Sequence, residues 1–228
     1  MRKLFLMSLL LSLSVCAFAQ QDYVGRYDSF VGFSYLDTPK LNLLERGFIT
    51  EEGVNLNRWL ALGVDFSVMQ GHSGITPADI KTSVLAQIPA PVLAQLAAIP
   101  GYALPYNSTI YTYTAGPQIN YRKFKKVTLF VHPDLGAIHA TATATPKTPI
   151  DVAVLTLLPN LNGGKLKDTT YFYGIGGGAQ YHFTKHVGVR FTFDYVHVFL
   201  FSGVLANSRN AYRFGIGPSF NFGKNVSK

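Results

Sequence analysis

Cysteine is nearly missing from this sequence. Cys16 is the only one among 228 residues and it falls within segment 1–19, so the remainder has no disulfide or thiolate chemistry to draw on. Long apolar runs are also scarce. After residue 19 none approaches the roughly 20 residues that a membrane-crossing helix needs, so any crossing has to be made by strands. Charged residues are only 14% of the chain, and acids are fewer than bases, 12 against 20. Familiar catalytic and metal spacings are missing too. Histidines stand at positions 72, 132, 139, 182, 186 and 197 with no HExxH or similar interval and no His-x-Ser unit. Ser202 lies a few residues after His197, too little to suggest a nucleophile and its base. No catalytic residue, metal ligand or cofactor is expected, and the glycine-rich YGIGGG (173–178) lies in a strand pattern with no helix after it, so it is no dinucleotide loop.

Aromatic residues, by contrast, are plentiful at 14%. At the N-terminus, Arg2 and Lys3 precede the apolar LFLMSLLLSLSV and the small-x-small site Ala17-Phe18-Ala19, which reads as a secretory signal peptide over 1–19. Its removal would leave 209 residues at 20–228, with a formal charge of +6 in place of +8. That length suits one domain. Export and aromatic content argue against nucleic acid as the partner of the basic residues.

Alternation with a period of two marks eight segments, near 28–36, 46–56, 60–70, 109–121, 127–139, 170–183, 187–200 and 211–222. In RFTFDYVHVF (190–199), Phe191, Phe193 and Tyr195 share one face, while Arg190, Thr192 and Asp194 share the other. Elsewhere Leu60, Leu62, Val64, Phe66 and Val68 oppose Ala61, Gly63, Asp65, Ser67 and Met69, and Tyr212, Phe214 and Ile216 oppose Arg213, Gly215 and Gly217. A soluble ligand-binding barrel would put the large apolar face inside. Here the opposite face is small or polar and cannot form a hydrophobic core, so the greasy face points outward to lipid. The fold expected is all-β: a closed eight-stranded antiparallel transmembrane β-barrel in the bacterial outer membrane, both ends periplasmic.

Short joins at 57–59, 122–126 and 184–186 alternate with long loops at 71–108 and 140–169, and intermediate joins at 37–45 and 201–210 belong with the long ones outside. Arg58, Arg122, Lys123, Lys125, Lys126 and Lys185 then gather at the periplasmic rim, where they meet either anionic lipid headgroups or water. The second strand fits least well. Its parity turns Glu52 outward and Glu51 inward, and a bulge or a shortened span is expected there.

Asp65, His132, Asp134, Arg190, Asp194 and Arg213 share the interior face, where they form a self-neutralising polar plug or, less favoured, an ion or proton path. Asp194 and Arg213 stand at similar heights on neighbouring strands and are expected to pair. In the loop 71–108, Thr76-Pro77-Ala78-Asp79 reads as a helix start followed by Ile80, Val84, Leu85 and Ile88 at helical spacing; Val92, Leu93, Leu96 and Ile99 suggest a second short helix. These apolar groups and VAVLTLLP (152–159) are expected to pack as a lid, or else to form a gate for a hydrophobic small molecule.

With FVGFSYL (30–36), NLNRWLALGVDFS (55–67), YGIGGGAQYHFTKHVGVRFTFDYV (173–196) and RFGIGPSFNFG (213–223) placed, the chain resembles the small outer-membrane β-barrel proteins of the OmpA-like transmembrane-domain superfamily. The resemblance implies outer-membrane lipids as surroundings. It also implies insertion by the barrel-assembly machinery, with Gly217, Phe220 and Phe222 in the glycine and aromatic positions of the closing-strand signal; Gly223 to Lys228 follow, a departure from that pattern. Members of the superfamily are anchors, adhesion surfaces, small pores or lipid-modifying enzymes. A structural or surface-interaction role is expected here, transport of hydrophobic molecules, as in OmpW-like barrels, is the alternative, and lipid modification comes third.

Overall fold

The computed structural model describes residues 21–39, 43–157, 164–206 and 210–226. The expected signal peptide 1–19, and Leu158 and Pro159 of the second long loop, lie outside them. Eight strands follow in order: β1 (Gly25–Thr38), β2 (Leu43–Asn55), β3 (Leu60–Ile75), β4 (Leu104–Tyr121), β5 (Val127–Ala144), β6 (Lys165–His182), β7 (Val187–Val198) and β8 (Asn210–Asn225). Each pairs antiparallel with its neighbour in sequence, and β8 returns to β1 to close the barrel. Closure removes every sheet edge, so strand backbone groups pair around the barrel without water, except where β4 and β5 part at 115–118 and 132–135.

Local chemistry sets the tight turns. Between β2 and β3, Asn57 Oδ1 accepts from the N–H groups of Trp59 and Leu60 at 2.9 and 2.8 Å. Thr184 Oγ1 does the same between β6 and β7 for His186 and Val187, at 3.2 and 3.0 Å. Alternation then fixes the faces. Phe33, Phe48, Leu62, Val64, Tyr113, Ile175 and Ile216 are exposed on the outside, an apolar belt that water would not tolerate and lipid does. Among the described residues, no helix is long and apolar enough to cross a membrane.

Four expectations need correction. First, most strands run further at the long-loop end than their alternation suggests: β3, β4, β5 and β6 extend to Ile75, Leu104, Ala144 and Lys165, because backbone pairing continues through residues such as Thr141, Ala142 and Thr143 that carry no lipid-facing pattern. Second, β2 has no bulge. Its register is unbroken against both β1 and β3, and Glu52 simply sits on the outer surface, accepting from Ser29 Oγ at 2.7 Å.

Third, the interior is not small and polar throughout. Its long-loop third is an apolar plug of Leu36, Met69, Ile110, Ile138, Phe172, Val196 and Val198, closed by Leu200 and Leu205 from the β7–β8 connection. Fourth, Arg122 leaves the basic rim. It is buried in the short-turn mouth, donating to Asn55 Oδ1 at 2.9 Å and to the Arg58 carbonyl at 2.6 Å, while Lys123, Lys125, Lys126 and Lys185 remain exposed.

Candidate functional site

Midway along the barrel, six strands aim charged side chains into one another. Arg213, fully buried on β8, donates from Nε to Asp194 Oδ2 on β7 at 2.7 Å. Its two terminal nitrogens reach Asp65 on β3 at 2.9 and 3.0 Å, a bidentate pair, and Nη1 also reaches Thr112 Oγ1 at 3.1 Å. Thr114 Oγ1 donates to Asp65 as well. Asp134, on β5, lies 3.8 Å from Arg213 Nη2. His132, two residues earlier on the same face, stands 3.3 Å from Asp134 through Nδ1 and 3.6 Å from Asp194 through Nε2.

A second knot lies nearer the short turns. Arg190 of β7 meets Glu51 at 3.2 Å and Asp28 at 3.5 Å, and its guanidinium lies 4.0 Å above the Phe130 ring. Gly178 makes this possible: a Cβ there would come within 1.9 Å of the Phe191 carbonyl and 2.8 Å of Phe130. All six interior residues named from the sequence thus gather in the middle of the barrel. Asp28 and Glu51 belong with them. Glu51 was legible by parity, whereas Asp28, at the start of the first expected strand, was not named. Glu45, read as part of a loop, is instead fully buried in β2 and lines a small cavity of about 40 Å³ with Leu36, Tyr106, Ile110, Leu200 and Leu205.

Above that cavity sits a cap. The first long connection holds a 3-10 turn (Pro77–Asp79) and helices α1 (Thr82–Leu85) and α2 (Ala90–Ala97); the second holds α3 (Pro149–Leu157). The helix expected from Thr76 to Ile88 is therefore broken. Thr76 and Asp79 do form the capping box, but Ile80 is drawn out into an extended bridge with Leu205. Val84, Ile88, Leu96 and Val154 are buried together, with Ile80 and Leu85 packed on them, so Ile80, Val84, Leu85 and Ile88 share one apolar cluster with Val154 of α3. Asp151 ties the two connections: its Oδ1 accepts from Tyr102 Oη at 3.0 Å, and its Oδ2 from the Lys147 and Thr148 N–H groups, each at 2.9 Å. Burial alone would raise the Asp151 carboxyl, but the two backbone N–H bonds and the tyrosine outweigh it and hold the group below its usual range.

The geometry has clear likenesses. OprG from Pseudomonas aeruginosa superposes with a TM-score of 0.55 at 10% identity, over 90% of this chain and 99% of that one. Neisserial surface protein A gives 0.53 at 12%, over 86% and 96%. Ail from Yersinia pestis gives 0.47 at 15%, over 87% and 99%. At these identities the likeness speaks to fold alone. No curated protein sequence matches the chain. The family model for the outer membrane protein beta-barrel domain, however, matches residues 5–222. The chain therefore belongs to the outer membrane protein beta-barrel family, and its place is the bacterial outer membrane.

Proposed function

We infer that this barrel is a closed scaffold with a structural or surface-interaction role, presenting its capped end outside the cell and catalysing no reaction. One observation carries this reading: the lumen at mid-height is occupied by Arg190 and Arg213, each held by carboxylates from other strands. Eight strands leave room for little beyond side chains, and buried opposite charges that pair with good geometry do not make a wet channel. Liposome swelling tests it. Vesicles carrying the barrel should swell in small sugars no faster than empty ones; rapid, sugar-size-dependent swelling would reject the closed scaffold.

Transport of small hydrophobic molecules is the second reading, supported by the apolar cavity between the cap and the charged layer. It predicts faster partition of an apolar dye into barrel-bearing vesicles, lost when Ile138 is enlarged to Phe. Equal rates with and without the barrel would remove it.

A further inference from the structure

We propose that His132, Asp134 and Asp194 form a binding site for a divalent metal cation inside the barrel. The donor set is one imidazole nitrogen and two carboxylates, and one ligand atom from each lies within 4.8 Å of the others. His132 presents Nδ1 to Asp134 at 3.3 Å and Nε2 to Asp194 at 3.6 Å, so an ion held through one of these nitrogens draws in the carboxylate that now faces the other.

Charge points the same way. Arg190 is engaged by Asp28 and Glu51, and Arg213 spends its bidentate face on Asp65 and its Nε on one oxygen of Asp194. Asp134, 1% exposed, stands 3.8 Å from Arg213 Nη2 and 3.3 Å from His132 Nδ1 with no hydrogen bond to either oxygen, and the second oxygen of Asp194 is equally buried and equally without one. Two carboxylates facing one imidazole in a dry interior call for a positive charge beyond what the arginines supply.

Gly176 is what lets the three groups converge: a Cβ there would stand 2.0 Å from Asp194 Oδ1, 2.5 Å from His132 Cε1 and 2.8 Å from Asp134 Oδ2, so β6 can carry no side chain at this point. Arg213, by holding the far oxygen of Asp194, orients that carboxylate as an outer partner does in metal sites. Beside His132 a cavity of about 50 Å³, lined also by Glu51, Asp65 and Arg190, leaves room next to the site. A nitrogen with two oxygens fits Zn²⁺ or Mn²⁺ better than the all-oxygen cages of Ca²⁺.

The test uses the whole barrel in detergent, stripped with chelator and then incubated with Zn²⁺ or with Mn²⁺. One equivalent of metal should survive gel filtration, measured by elemental mass spectrometry. Asp134→Asn and His132→Gln, each confirmed as folded by heat-modifiable migration, should weaken binding at least roughly tenfold, the loss that even an outer partner's removal brings. A second variant replaces His72, His139, His186 and His197 with alanine together and should keep its one equivalent. Substoichiometric metal on the wild type, or binding that vanishes with those outlying histidines, would overturn the site. Should the interior variants not fold, pulsed EPR of Mn²⁺ on the wild type decides: coupling to a single imidazole nitrogen supports the assignment, and no nitrogen coupling refutes it.

Discussion

Arg213 concentrates the energetics of this interior. It faces Asp65, Asp194 and Asp134 at once, so truncating it to Leu leaves carboxylates buried without their counter-charge, a loss of about 3–5 kcal/mol. Urea unfolding in vesicles should show it. A double-mutant cycle on Asp194 and Arg213 should give coupling well above the roughly 0–1 kcal/mol of an exposed pair; additive effects would mean that the 2.7 Å contact contributes nothing of its own. Period-two alternation sufficed to put Asp65, His132, Asp134, Arg190, Asp194 and Arg213 on the inner face, because a strand's side chains have only two directions. It was silent about which of them touch. Contacts such as Arg213 with Asp65 join strands far apart in sequence, and the height of each residue follows from barrel shear, which no local pattern encodes. Arg122 was misread for a related reason: it sits in a turn, yet its long side chain reaches back into the mouth to Asn55.

The cap is held by apolar packing and by one carboxylate. Replacing Val84 and Leu85 with Asp should leave the barrel's heat-modifiable folding intact and make the first long connection cleavable by protease added to whole cells. If the wild-type connection is cleaved as fast, it does not act as a lid. Asp151 adds a pH dependence of defined sign. Its carboxyl is held low when folded, so its contribution is complete above the ordinary value of 3.8 and fades as pH falls through the lower folded value. Pepsin should therefore leave the cap intact near pH 4 and cut it increasingly below that, and Asp151→Asn should be cut across the whole range. A flat response in the wild type would contradict this. Helical spacing correctly marked apolar partners here, but not the break at Ile80, since the bonds that extend it, Lys81 N–H to the Val204 carbonyl and Ala206 N–H to the Asp79 carbonyl, come from a connection more than a hundred residues later.

The molecule as a whole is built inside out relative to a soluble barrel, and that inversion was legible from composition on each face before any strand was paired. Lipid is the solvent of its outer face. Ile175, mid-strand and 59% exposed, should accept Arg only at a cost of roughly 2–4 kcal/mol in lipid vesicles, as lipid-facing positions near the bilayer centre do. What alternation did not convey is the layering along the axis, with hydrogen-bonded polar groups at the short-turn mouth, charges at mid-height, an apolar plug above and helices over the top. Single-channel recording in planar bilayers tests the closure of the lumen most directly. The wild-type barrel should give no stable conductance steps, and opening the cap with the Val84 and Leu85 substitutions should give none either, because Arg190 and Arg213 still fill the lumen below; reproducible steps of defined size from the wild type would contradict the closed barrel.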